Sequence, residues 1–91
     1  MNNYEIKLSR RISYVIVLDE IMLIDESNLK YYKFTDTSAE IMKLIINGFT
    51  YFESIVKNLV GKYNAQRNIL EKDINSFLLF LIENKIVEKS E

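Results

Sequence analysis

The sequence predicts an α+β fold: a three-stranded antiparallel sheet followed by three helices, in a winged helix-turn-helix-like arrangement. Three observations carry this. Before Thr35, three short runs are rich in β-branched and aromatic residues and are split by polar residues. After Thr35 the apolar spacing becomes helical. The two kinds of segment are segregated along the chain, which is the α+β pattern.

Each element follows from its residues. Ile12 to Leu18 reads Ile-Ser-Tyr-Val-Ile-Val-Leu; Asp19 and Glu20 interrupt it, and Ile21 to Ile24 resumes the apolar pattern. Asp25-Glu26-Ser27-Asn28 is a turn candidate, because Asp, Ser and Asn bond their own nearby backbone. Leu29 to Phe34 is the third strand-like run. Thr37-Ser38-Ala39-Glu40 has the form of a capping box opening the first helix, with Ile41, Leu44 and Ile45 on one face and Asn47-Gly48 as its C-terminal cap. Thr50-Tyr51-Phe52-Glu53 repeats the box before a second helix, whose stripe is Phe52, Ile55, Val56, Leu59 and Tyr63 and whose last turn Gly61 weakens. A third helix is expected from Asn68 to about Asn84, with Leu70, Ile74, Phe77, Leu78 and Leu81 spaced by three and four. No linker, repeat or low-complexity segment appears. The chain therefore reads as a single domain over residues 1–91, with a core of about residues 12–87.

Composition removes most catalytic chemistry. In 91 residues there is no cysteine and no histidine. Disulfides, Cys/His zinc sites, thiol nucleophiles and Ser-His-Asp relays are excluded. Gly48 and Gly61 are the two glycines, too few and too far apart for a phosphate-cradling loop. The carboxylates Asp19-Glu20 and Asp25-Glu26 are sequence neighbours that point to opposite sides of an extended chain, with no calcium-loop spacing around them. They read as solvated turn residues. The expectation is no enzyme, no metal and no cofactor. The start, Met1 to Arg11, is polar, and the longest apolar run, Phe77 to Ile82, falls far short of the roughly 20 residues that span a bilayer. No secretory signal is visible, so a cytoplasmic location with no membrane partner is expected.

A net charge of −1 gives no general attraction to nucleic acid. A winged helix-turn-helix would read DNA through a recognition helix, yet the third helix carries Glu71, Asp73 and Glu83 beside Lys72. Arg10-Arg11 is the one basic pair and lies outside the helices. The third helix also has more apolar residues than one core face needs. Phe77 and Phe80 are candidate walls of an apolar groove, with Asp73 at its lip; Leu79 and Ile82 lie on the other flank, and either flank can face the sheet. Tyr31 and Tyr32 face opposite sides of a strand, so one can be core and the other accessible. Three strands leave two open edges, and an open edge invites another strand.

These features together resemble a known family. Two strands reach Leu23-Ile24-Asp25, a third ends Tyr31-Tyr32-Lys33-Phe34-Thr35, and Ala39, Ile41, Met42 and Leu44 follow on a helix. Asn47-Gly48-Phe49-Thr50 leads into the second helix, and Asp73-Ile74-Asn75-Ser76-Phe77-Leu78, Leu81 and Lys85-Ile86-Val87 close the pattern. Over about Ile12 to Val87 this resembles the PqqD-like family, the recognition element of ribosomally made, post-translationally modified peptides (the RiPP recognition element). Thr35 departs from the family's usual Asn, and Lys85 from the Gly that commonly ends the last helix, where Asn84 can take the left-handed conformation instead.

The resemblance implies a non-catalytic adaptor in peptide natural product biosynthesis. It would bind the leader of a precursor peptide by β-augmentation and present it to a modifying enzyme: a radical-SAM enzyme, a leader peptidase or a cyclodehydratase. The docking strand carried over is Leu29, Lys30, Tyr31, Tyr32, Lys33 and Phe34, and the facing helix contributes Asp73, Phe77 and Phe80. Nucleic acid is not expected as a partner, and the chain is expected to be a monomer or weak dimer. The alternatives are a winged-helix regulator that binds nucleic acid, and a structural subunit that dimerises through its open edge.

Overall fold

The computed structural model describes residues 3–90. The elements in order are β1 (Glu5–Leu8), β2 (Ile12–Val17), β3 (Glu20–Asp25), β4 (Lys30–Phe34), α1 (Asp36–Ile46), α2 (Phe52–Lys62), α3 (Arg67–Glu83) and β5 (Val87–Ser90). The three-stranded antiparallel sheet has the order β2-β3-β4, and three helices follow it, which is the α+β arrangement expected. Leu18 and Asp19 form a two-residue loop between β2 and β3, and the register runs without a bulge from Val17 opposite Glu20 to Ile12 opposite Asp25. Leu18 sits at φ 57, the first central position where such a hairpin turn favours glycine. β3 and β4 then pair from Asp25–Lys30 to Ile21–Phe34.

One face of this sheet is the core face. Alternation puts Ile21, Leu23 and Asp25 of β3 on it, and all three are buried. Ile21 and Leu23 share a single cluster with Phe34, with Ala39, Ile41, Met42 and Ile45 of α1, with Phe52, Ile55, Val56 and Leu59 of α2, and with Ile74, Leu78 and Leu81 of α3.

The core does not begin at residue 12. Ile6 is completely buried, because β1 pairs antiparallel with β5, Glu5 opposite Ser90 and Leu8 opposite Val87. This second, two-stranded sheet is absent from the sequence expectation, which treats Met1 to Arg11 as a polar lead-in. Tyr4 just before it stacks on Phe52 at 5.3 Å between ring centres and donates its hydroxyl to Asn75 at 2.7 Å.

Neither capping box forms. α1 starts two residues earlier than the Thr37 box implies: Thr35 is the N-cap, Asp36 follows it at φ 54, and Ser38 Oγ donates to the Thr35 carbonyl at 2.6 Å. Glu40 is drawn away from the helix start by Lys62 Nζ at 2.8 Å and by the Tyr63 hydroxyl, which donates to it. In α2 the N-cap is Tyr51 rather than Thr50, whose hydroxyl donates to Glu5 at 3.2 Å. The Glu53 N–H donates to the Asn3 side chain at 2.9 Å, and the Glu53 carboxylate pairs with Arg67 at 2.5 Å. Tertiary partners have outcompeted local capping.

The C-terminal ends follow the expected chemistry more closely. Gly48 takes φ 98 after α1, its N–H bonding to the Ile45 carbonyl at 3.1 Å and the Phe49 N–H to the Leu44 carbonyl at 2.8 Å. This is a Schellman end, and it needs glycine's freedom at positive φ. The same double bond pattern ends α3, from Lys85 to Ile82 at 3.0 Å and from Ile86 to Leu81 at 2.9 Å. Here the left-handed residue is Lys85 itself, at φ 59, while Asn84 stays at φ −89. Asn84 instead donates its side-chain amide to the Phe80 carbonyl at 2.9 Å.

Candidate functional site

The site is built on the β3–β4 hairpin. Asp25 is completely buried at the end of β3, and its carboxylate accepts the Ser27 hydroxyl at 2.6 Å, the Ser27 N–H at 3.0 Å and Arg11 Nε at 3.1 Å. The Ser27 hydroxyl first, then the Ser27 N–H and Arg11, hold the Asp25 carboxyl below its ordinary range against the opposing effect of burial. Arg11 also donates to the Lys85 carbonyl at 3.3 Å, tying the hairpin base to the end of α3. The buried carboxylate is thus a structural anchor for the turn, rather than the solvated turn residue expected. Leu29 is not part of the docking strand: it closes the turn at φ 59, its N–H bonded to the Asp25 carbonyl at 2.7 Å, and it is exposed. β4 starts at Lys30, whose N–H is held by the Asn28 side chain at 2.9 Å.

Alternation fixes which backbone groups of β4 are open. The two-residue loop closes on a hydrogen-bonded pair, Val17 with Glu20, so Ile21 turns its N–H and C=O toward β4 and pairs with Phe34. Tyr32 and Phe34 therefore point their backbone groups at β3. Tyr31 and Lys33 point theirs away, onto the free edge.

Aromatic rings line the helix side of that edge. Tyr32 is half-buried and stacks on Phe34 at 6.4 Å. Phe34 and Phe77 make a T-shaped pair at 5.5 Å between ring centres, and Phe77 stacks on Phe80 at 6.3 Å. The flank of α3 that faces β4 is thus the Phe77–Phe80 flank. Phe80 remains 42% exposed at the outer end of the row. Asp73 is exposed one turn before Phe77. Of the residues singled out from the sequence, Tyr32, Phe34, Phe77 and Phe80 come together. Lys30 and Lys33 are exposed on the strand, with Lys33 paired to Glu20 at 3.2 Å. Tyr31, 71% exposed, is on the opposite face of the sheet. There it borders a hollow of about 260 Å³ with Val15, Met22 and Ile24. The hollow was missed because Val15 and Met22 read as ordinary strand residues; only the pairing Val15–Met22 brings them together.

Among the described residues no group of three or more carboxylates could hold a metal ion, and no helix is long and apolar enough to cross a membrane. The Arg10-Arg11 pair lies on the turn before β2, and Arg11 is engaged by Asp25.

The family described as Coenzyme PQQ synthesis protein D (PqqD) matches residues 20–87, most of the chain. The chain belongs to the PqqD family. Among solved structures, it is similar to TbiB1 in complex with the TbiA(beta) leader peptide, with a TM-score of 0.86, 24% identity, and coverage of 90% of this chain and 94% of that one. It is also similar to a lasso peptide synthetase B1 complexed with its leader peptide, with a TM-score of 0.79 and 25% identity over 91% of this chain and 96% of that one. A search of curated proteins finds no match.

Proposed function

We propose that this protein binds the leader segment of a precursor peptide as an antiparallel strand on the free edge of β4 and presents it to a modifying enzyme, catalysing nothing itself. The observation that carries the reading is the pairing of an open strand edge with the aromatic row Tyr32, Phe34, Phe77 and Phe80. Membership of the PqqD family and likeness to two leader-bound proteins support it. Edge addition supplies main-chain bonds, and the flanking side chains choose the sequence.

Magnitudes say that both parts are needed. Tyr31 and Lys33 each offer one N–H and one C=O, and such bonds contribute roughly 0.5–1.5 kcal/mol each, net of water. Micromolar binding requires about 8 kcal/mol, and ordering a flexible leader costs several more. Burial of leader side chains against Phe77 and Phe80 supplies the remainder. An added strand sends alternate side chains to the two faces, so half of them meet the aromatic row and half meet Tyr31.

The partner enzyme is a radical-SAM enzyme, a leader peptidase or a cyclodehydratase, and the reading places delivery in the cytoplasm, where the precursor is made. The test is amide-shift mapping by NMR with the leader of a precursor encoded beside this gene. Large shifts in Lys30–Phe34 and on the Asp73–Phe80 face of α3 are expected. Shifts confined to α2 and Arg10-Arg11, with β4 unchanged, would refute the docking site.

A further inference from the structure

The other edge of the sheet carries a second, independent surface. β2 is an edge strand with no charged residue from Ile12 to Val17, no proline and no bulge against β3. It lacks the usual features that stop an edge from pairing. Tyr14, Val15, Ile16 and Val17 are each between 44% and 55% exposed, and Leu18 at the tip is 91% exposed in a left-handed conformation. Because Val17 turns its backbone groups toward Glu20, alternation leaves those of Tyr14 and Ile16 on the open edge.

Charges at the two ends of this strand are opposite. Arg10-Arg11 precede it and Asp19-Glu20 follow it. A parallel partner of the same sequence would bring like charges together. An antiparallel copy centred on Val15 sets Tyr14 opposite Ile16 of the other copy, twice by symmetry, and sets the Arg10-Arg11 turn beside Asp19. Tyr14 and Ile16 are the residues whose N–H and C=O groups are open. The same register thus satisfies hydrogen bonding, aromatic-to-β-branched pairing and charge at once. We infer that β2 is a self-association edge, through which two copies join their sheets about a two-fold axis at Val15, leaving both β4 edges free.

The interface is one strand pair, so the dimer is weak and forms within the range of about 1 µM to 1 mM. Sedimentation equilibrium of the full chain, without peptide, across that range is expected to show the mass rising from one chain to two. Val15→Lys places two ammonium groups together at the axis and should hold the protein monomeric with its circular dichroism unchanged. Asp19→Arg, on the exposed turn, should raise the dissociation constant about tenfold, ~1.4 kcal/mol. Arg10→Asp combined with Asp19→Arg should restore it. A protein that stays monomeric throughout the range would overturn the inference. So would a dimer that survives Val15→Lys in folded protein, or one indifferent to Asp19→Arg.

Discussion

Lys85 shows how much one backbone angle can matter. It holds the left-handed position that ends α3, at φ 59, where a side chain costs roughly 1–2 kcal/mol. Lys85→Gly is expected to stabilise the protein by about 0.5–1 kcal/mol after glycine's greater freedom in the unfolded chain is offset. Calorimetry should show a rise in Tm of roughly 2–8 °C; an unchanged or lower value would mean that the position is not strained. Asp25 gives a pH signature. Its carboxyl is held low in the folded protein, by Ser27 and then Arg11, and is ordinary when unfolded. Its stabilisation is complete above the unfolded value of about 4 and is lost as pH falls through the depressed folded one. Glu40, held low by Lys62 and then Tyr63, acts in the same direction. Urea midpoints measured from about pH 6 down to about pH 2 should fall, and Asp25→Asn should flatten that fall. The turn at Asp25 was legible in its polar residues. Leu29 was not, because an apolar residue carries no mark of a positive φ.

The elements were legible where a segment's own residues decide its state. β2, β3 and β4 are short β-branched and aromatic runs, and the structure places all three within a residue of the pattern, with Leu18 and Leu29 given up to turns and α3 starting one residue early at Arg67. β1 and β5 were not legible, since Val87-Glu88-Lys89-Ser90 has no apolar alternation and its partner lies at the other end of the chain. The helix starts failed for a related reason: Glu40 and Glu53 have the right spacing for capping but better partners in Lys62 and Arg67. For the candidate site, the sequence could pair the strand with the helix but not choose the flank, which the 5.5 Å contact of Phe34 with Phe77 decides. Two substitutions separate the parts of that site. Lys33→Pro removes an N–H from the free edge, where proline is tolerated, and should weaken leader binding by about 0.5–1.5 kcal/mol. Phe80→Ala leaves the backbone intact and should cost about 1–3 kcal/mol of affinity. Calorimetric titration measures both. Full affinity in either variant would remove that residue from the site.

At the scale of the molecule, three strands and three helices make one core, and a small β1–β5 sheet fastens the two ends of the chain onto it. Ile6 is the measure of this fastening: it is completely buried inside a segment that composition marks as polar. Ile6→Ala is expected to destabilise the fold by about 2–5 kcal/mol in chemical denaturation, as for other core truncations. A loss below about 1 kcal/mol would show that the terminal sheet frays independently of the core. Because Glu5 lies opposite Ser90, the points where the chain enters and leaves the domain are separated by about one strand spacing, roughly 5 Å. A domain with adjoining ends imposes almost no span on whatever holds it. It can be circularly permuted, with a short linker joining Ser90 to Glu5 and new ends cut in the Asn64–Gln66 connection. It can equally be lodged within a surface loop of a larger enzyme, so that peptide capture and chemistry travel on one polypeptide.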